Sequence, residues 1–301
     1  MTTVVCPDCA SQDLHLVGAL PDVAVFAGKH LDQPLAGGAL YTCHICYLAF
    51  RAPTFDTSIY QELYDNSVAE AWTVDESRED QKLVLNYLHR HMPSGGRILD
   101  VGCYAGALLG SMDKRFEKFG VEINSTAAGI ARSKFNITTW CSLGEIPINM
   151  RFNAIIATDV IEHLTSPRQF IESLLPWLEE DGFIVITSGD AQNVWWRVIG
   201  TRWWYCSFAE HISFISKRWL RYYSQALNFR VIKAQHFRYI NLRFRWFKYG
   251  SLLLYSLWPT FHDKAARVLG RMRGRNSAIS APGFGISADH LFIVLSKWPL
   301  Q

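Results

Sequence analysis

Arg97-Ile-Leu-Asp-Val-Gly-Cys-Tyr-Ala-Gly-Ala-Leu-Leu109 reads as a short buried strand, a tight turn and the start of a helix. Ile98, Leu99 and Val101 supply the strand, and Asp100 stands at its carboxyl end. Gly102 and Gly106 let the backbone turn and approach a ligand without a Cβ in the way. In an open α/β sheet, ligands bind in the crevice outside the carboxyl ends of the strands, so this turn marks a cofactor site. The spacing departs from the dinucleotide fingerprint G-x-G-x-x-G, because Tyr104 occupies the place of its second glycine. An acid followed by Gly-x-x-x-Gly suits a ligand bearing an amino group and hydroxyls rather than phosphates.

Two further blocks follow downstream. Lys118-Phe-Gly-Val-Glu-Ile123 reads as a second strand ending in an acid, Glu122, placed to accept hydrogen bonds from a ribose diol. Phe152-Asn-Ala-Ile-Ile-Ala-Thr-Asp-Val-Ile-Glu-His-Leu164 reads as another strand with polar residues at its exit. Together, Asp100-Val-Gly-Cys-x-x-Gly106, Glu122 and Asp159-Val-Ile-Glu-His-Leu164 resemble the class I S-adenosylmethionine-dependent methyltransferases. The resemblance covers roughly residues 95–238 and the last strand. It implies S-adenosyl-L-methionine as cofactor, with Asp100 toward the methionine amino group. The backbone of Gly102, Cys103 and Gly106 would lie along the methionine and ribose, and Glu122 on the ribose hydroxyls. Ser142 and Leu143 stand where the adenine is met, and Asp159 follows the fourth strand. Read without the resemblance, Cys103 is a small residue filling a tight corner and Asp100 a partner for a helix N-terminus.

The flanking pattern alternates strand and helix. Leu83, Val84, Tyr87 and Leu88 recur at helical spacing between Arg78 and Met92. Ala105 to Lys118 predicts a helix with Leu108, Leu109, Met112 and Phe116 on one face. Asn136–Trp140 and Asn153–Thr158 predict strands. Ser166-Pro-Arg-Gln169 opens a helix that runs to about Gly182, through its cap, first-turn proline and capping glutamine. Phe183–Thr187 is a fifth strand, Ser216 caps a helix, and Phe229–Lys233 and His290–Ser296 are the last two strands. Short alternating elements give a mostly parallel sheet with right-handed crossovers. The expected architecture is an α/β, Rossmann-like seven-stranded sheet whose last strand is antiparallel, preceded by a small zinc ribbon.

The ribbon rests on Cys6-Pro-Asp-Cys9 and Cys43-His-Ile-Cys46. Two C-x-x-C pairs match a tetrahedral site of four thiolates, with no position left for an activated water, so the Zn2+ is expected to be structural. Cys103, Cys141 and Cys206 read as small buried residues. The expected boundaries are 1–55 for the ribbon, 56–95 for a helical linker and 96–301 for the cofactor domain, with a basic and aromatic insertion at about 239–288. The N-terminal unit resembles the zinc ribbon ahead of the methyltransferase domain in bacterial enzymes acting on sugars and glycans, the deoxysugar-nucleotide C-methyltransferases among them.

Two histidines are candidate proton acceptors: His163, after the fourth strand, and His211, after Trp203-Trp-Tyr-Cys-Ser-Phe-Ala-Glu. His211 lies among aromatics that could stack on a sugar ring. A capping or packing role is the alternative for each histidine, and plain core for the aromatics. The formal net charge of +3 does not suggest a nucleic-acid partner. Between Tyr239 and Arg275 stand eight basic residues and one acid, a local +7 that leaves −4 for the remainder. The arginine-flanked apolar run from Phe244 to Trp258, with the basic tract to Arg275, has the composition of an interfacial helix, which would bring 244–275 to a membrane surface. A substrate lid or dimer face is the other reading, and it ranks ahead. Met1-Thr-Thr-Val-Val lacks a basic start and a long apolar run, so no signal peptide is expected. A cytoplasmic place follows, with the inner membrane surface as its extension.

The expected activity is methyl transfer to a small-molecule or glycan acceptor, a sugar hydroxyl ahead of carbon, in cell-surface polysaccharide or sugar metabolism. One alternative is O-methylation of a quinone or lipid-like molecule, which Asp159-Val-Ile-Glu-His-Leu164 also resembles. Another is a non-catalytic zinc-ribbon binding protein with a methyltransferase fold.

Overall fold

A computed structural model describes residues 3–26, 29–54, 59–60, 63–64, 78–227, 229–238 and 288–297. Strand β6 (Gly96–Val101) forms where the quoted stretch places it, and its alternation divides the core. Leu99 and Val101 join Ile155, Ala157, Ile184 and Ile186 on one face. Ile98 joins Ala154, Ile156 and Val185 on the other. Burial on both faces explains why these strands read as continuous apolar runs.

The sheet has seven strands in the order β12-β13-β10-β9-β6-β7-β8. Its members are β6, β7 (Phe116–Val121), β8 (Thr138–Trp140), β9 (Phe152–Thr158), β10 (Leu178–Gly189), β12 (Phe229–Phe237) and β13 (His290–Lys297). β6 pairs in parallel with β7 and β9, and β9 with β10. Only β13 runs the other way, antiparallel to β10 and to β12. The expected fold is therefore the observed one.

Helices α1 (Glu79–His91), α2 (Ala107–Ser111), α3 (Ser125–Phe135), α4 (Pro167–Leu174), α5 (Val194–Ile199) and α6 (Lys217–Ala226) connect and cover the strands. Two expected helices are shorter than their apolar spacing suggests. α2 stops at Ser111, the chain turns with Phe116 N–H on the Asp113 carbonyl, and Phe116 opens β7 opposite Gly96. Phe116 is thus a core residue through a strand. α4 stops at Leu174 because Pro176 supplies no N–H and forces a short 3-10 turn, Leu175–Trp177. Leu178 then pairs with Phe152 as the start of β10.

The N-terminal segment builds β1 (Leu14–Ala19), the pair β2 (Val23–Phe26) and β3 (Lys29–Leu35), then β4 (Ala39–Cys43) and β5 (Ala49–Ala52). Its sheet does not end with itself: β11 (Ser213–Phe214) adds to β5, Ser213 opposite Phe50. Cys6, Cys43 and Cys46 share one apolar cluster with Trp219 and Tyr223 of α6. Asp8, buried between the first two cysteines, accepts from Ser166 Oγ (2.7 Å), Arg168 N (3.2 Å) and Trp219 Nε1 (2.7 Å). The insertion expected at about 239–288 lies outside the described residues except for its last residue, and so do the 244–275 tract and most of the expected linker. Among the described residues, no helix is long and apolar enough to cross a membrane.

Candidate active site

The carboxyl ends of β6, β7, β9 and β10 open onto one edge. At the first of them the chain makes its turn with three left-handed residues, Gly102 (φ 76°), Tyr104 (φ 47°) and Gly106 (φ 77°). A Cβ on Gly102 would come within 2.6 Å of Val160 Cγ2, and one on Gly106 within 2.9 Å of Ala131 Cβ. The first glycine keeps the β6 and β9 exits close, and the second seats α2 against α3. Cys103 turns its thiol inward beneath Gly120, leaving its backbone at the turn.

Asp100 is 3% exposed, and among the described residues its Oδ1 has no hydrogen-bond partner. Burial pushes its carboxyl up to about 8, with the charge of Glu122 adding to the effect and Arg78 opposing it. A buried acid with an idle oxygen is a receptor for a cation. Glu122 follows β7 and holds the turn, its Oε2 accepting from Tyr104 N (2.8 Å) and its Oε1 from Asn124 N (2.7 Å). Each oxygen keeps a further lone pair for a diol. Ser142 and Leu143 follow β8 at the far end of this edge, where Glu145 caps the Cys141 N–H.

Asp159 leaves β9 with φ 53° and its N–H on the Thr187 carbonyl of β10 (3.1 Å). It pairs with Arg78 at 2.7 Å, and the Arg78 Nε donates to buried Asp80 at 3.0 Å. Arg78 and Asp80 carried no functional expectation. Arg78 caps α1 and Asp80 lies in its first turn, where a charged pair reads as an ordinary solvated helix start.

A second group of polar side chains lies beyond β9. His163 Nδ1 is 2.8 Å from the Tyr64 hydroxyl and 3.1 Å from the Glu210 carbonyl. The Tyr64 carbonyl accepts from Asn124 Nδ2 at 3.4 Å, which ties this tyrosine to the turn after Glu122. The His163 and His211 rings lie 5.0 Å apart, edge to face. His211 Nδ1 is 2.9 Å from the Tyr205 carbonyl. A carbonyl only accepts, so Nδ1 carries the proton and Nε2 presents its lone pair. Burial holds His163 down to about 4 and His211 well below the usual imidazole range, the latter helped by His163. Both are neutral at pH 7.

Beneath them, Glu162 is 1% exposed and accepts from the Tyr205 hydroxyl and from Ser188 Oγ. Burial, then the charge of Asp159, raises its carboxyl to about 8. Donor atoms of Glu162, His163 and His211 lie within 4.8 Å of one another, a spacing a metal ion could bridge. Glu162 is also hydrogen-bonded to Tyr205 and Ser188, and His163 to Tyr64. Phe208 (4.9 Å) and Tyr205 (4.1 Å) flank the His211 ring, and Phe26 lies edge-on to Tyr64 at 5.1 Å. The structure thus brings together both expected histidines. The sequence attached no role to Tyr64 or Glu162, although Glu162 sits inside the Glu-His pair that drew attention, and it offered Tyr205 only as one of the aromatics beside His211.

The four cysteines of the knuckles converge on one another. Cys6 and Cys46 Sγ are 3.4 Å apart and Cys9 and Cys43 Sγ 3.5 Å, with all four within 4.8 Å. A tetrahedron of Zn–S bonds of ~2.3 Å has edges of ~3.8 Å, so the donor set fits zinc in number, kind and spacing.

A family model described as a methyltransferase domain matches residues 73–234. No curated protein sequence matches this chain. Among solved structures, a Burkholderia thailandensis 1,6-didemethyltoxoflavin-N1-methyltransferase, with bound 1,6-didemethyltoxoflavin and S-adenosylhomocysteine, superposes with a TM-score of 0.52 at 13% identity. That match covers 83% of this chain and 95% of that one. A coclaurine N-methyltransferase bound to N-methylheliamine and S-adenosylhomocysteine gives 0.47 at 12% identity, over 75% of this chain and 74% of the other. At such identities the likeness is one of fold.

Proposed function

This chain belongs to the methyltransferase-domain family and has the fold of S-adenosylmethionine-dependent methyltransferases; from that premise we propose that it binds S-adenosylmethionine along the β6–β7 edge and methylates a small acceptor held at His211. The single observation that carries this reading is the idle, buried Oδ1 of Asp100 beside the Gly102–Gly106 turn. Asp100 receives the methionine ammonium, and Glu122 the ribose diol. Arg78, the cation already beside Asp159, takes the methionine carboxylate. Ser142 and Leu143 border the adenine. When bound, the cofactor supplies a methyl group on a sulfonium, and the protein contributes alignment and proton removal.

The acceptor proposed is a small molecule or glycan, a sugar hydroxyl ahead of carbon, within cell-surface polysaccharide or sugar metabolism. Support comes from the neutral His211, whose Nε2 can take a hydroxyl proton, and from the half-buried rings of Phe208 and Tyr64, which suit the apolar face of a sugar; Tyr205 is core. His163 and Tyr64 form the second proton-handling pair. The four knuckle cysteines hold a structural Zn2+, which supplies cross-linking of the N-terminal unit and no open coordination position.

The deciding experiment is calorimetric titration of the zinc-replete protein with S-adenosylmethionine and with NADH, beside Asp100→Ala and Glu122→Ala. Micromolar binding of S-adenosylmethionine alone, lost in both variants, is expected. A folded protein that binds neither ligand would overturn the assignment.

A further inference from the structure

Arg51 has no part in the chemistry above, yet it is 1% exposed and among the largest fully buried side chains. A guanidinium out of water is tolerated only when its N–H groups are satisfied. Here the acceptors are backbone carbonyls. Nη1 donates to Gly37 (2.8 Å), Nη2 to Cys206 and Phe208 (3.0 Å each), and Nε to His211 (3.3 Å). The Arg51 backbone N–H donates to the Ile212 carbonyl at 2.9 Å. Four of these five acceptors lie within residues 206–212.

That segment begins within a short 3-10 turn, Trp204–Ser207, and runs up to β11. Between that turn and β11 lies no helix or strand ladder; the His211 N–H reaches the Phe208 carbonyl at 3.3 Å, and the remaining carbonyl lone pairs take partners from elsewhere. Arg51 supplies them, and only a planar fork with five donors can reach three carbonyls of one loop and a fourth on Gly37. The same loop presents His211. The aim of that ring is set by its Nδ1–H bond to the Tyr205 carbonyl, at the other end of the gathered stretch. Arg51 also places a positive charge near His211, which disfavours a second proton there.

We infer that Arg51 is a positioning residue: by gathering the carbonyls of Cys206, Phe208 and His211 it holds the loop that aims His211 at the acceptor. This rests on the reading of His211 as the acceptor-side base. It also gives the N-terminal unit a part in the site, because Arg51 stands on β5, eight residues after Cys43 and five after Cys46.

The test needs no acceptor. Histidine side-chain 1H–15N correlation spectra of the full, zinc-replete chain report the tautomer of each imidazole, with His211 assigned by its absence in His211→Gln. The wild type is expected to show His211 as a single Nδ1–H tautomer. In Arg51→Gln that signal is expected to become a mixture of tautomers, and in Arg51→Lys to return in part. S-adenosylhomocysteine affinity is expected to stay within about threefold of wild type in both variants. An Arg51→Gln protein that binds S-adenosylhomocysteine normally and keeps the His211 signal unchanged overturns the inference. If neither variant folds, the wild-type Arg51 Nη protons decide. Separate, slowly exchanging resonances support the clamp, and averaged, fast-exchanging ones overturn it. Failure of the wild type to bind S-adenosylhomocysteine would instead count against the cofactor assignment.

Discussion

Asp100 is held protonated in the cofactor-free protein, near 8, by its own burial. An ammonium brought against Oδ1 would favour the carboxylate, so binding should expel a proton. The sign follows directly: below about pH 8 the proton must leave Asp100 before the pair forms, so affinity for S-adenosylmethionine should rise with pH up to about 8, where the ligand's own α-ammonium begins to deprotonate. Calorimetry at pH 7 in phosphate and in Tris is expected to show release of close to one proton, absent in Asp100→Asn. Arg78 gives a second prediction. If it takes the methionine carboxylate, Arg78→Gln should weaken S-adenosylhomocysteine binding by about tenfold or more, the scale of one charge-assisted hydrogen bond. Methylthioadenosine, which lacks the amino-acid end, should bind unchanged. Equal losses for both ligands would remove Arg78 from that role. Asp100 was legible in the sequence because it ends a strand beside a glycine turn, and Glu122 because it ends the next apparent strand about twenty residues on. Arg78 was not, because its contact with Asp159 joins residues 81 apart.

At the scale of elements, the N-cap of α4 joins the first cysteine knuckle to the domain core. Ser166 accepts from Gln169 N, as its sequence motif predicts, but its own hydroxyl donates to Asp8, which no local pattern reveals. Removing that carboxylate strands the Trp219 indole N–H of α6 and the Ser166 hydroxyl in a buried place. Asp8→Ala is therefore expected to cost on the order of 2–3 kcal/mol in urea unfolding of the zinc-replete protein. Asp8→Asn, which still accepts, should cost less. The helix ends were the least legible features. Leu108, Leu109, Met112 and Phe116 share one apolar face in a helical projection, yet Phe116 reaches the core from β7. Apolar spacing registers burial alone, and both a helix and the strand after it can bury the same residue.

At the scale of the whole molecule, four of the buried ionisable groups, all at the candidate site, contribute to the pH dependence of stability. Asp100 and Glu162, each near 8 in the folded chain, remain protonated while their unfolded counterparts ionise at 3.8 and 4.5. Each therefore removes up to about 1.4 kcal/mol per pH unit as pH rises through that window. His163, near 4, and His211, lower than its ordinary value, act in the opposite sense below 6.5, where only the unfolded imidazoles take up protons. Within this set the two effects oppose each other below 6.5, and above it the carboxyls act; Glu122 and Asp80, also raised by burial, act in the same sense. The cofactor-free protein is expected to lose stability from pH 6.5 to 8, by calorimetric Tm at constant zinc, and S-adenosylmethionine should lessen the fall. A Tm that rises over this range would contradict the assignment. Because Cys6, Cys43 and Cys46 pack with Trp219 and Tyr223, zinc removal is expected to lower the Tm of the entire chain rather than release a separate early transition.

The sequence by itself determined the parallel sheet, its antiparallel last strand, the glycine turn with its two acids, and the cysteine quartet. These depend on short-range periodicity, on backbone conformations that glycine alone adopts readily, and on donor spacing within a few residues. Tertiary structure decided which groups share a site. Tyr64, Glu162, His163, Tyr205 and His211 come from separate stretches of the chain, and their tautomers and protonation depend on burial that no one stretch encodes. It also decided that the N-terminal sheet is completed by β11 and that a buried arginine of β5 gathers the loop before it. Those contacts span about 160 residues, and they arise from satisfying buried polar groups wherever the fold brings acceptors within reach.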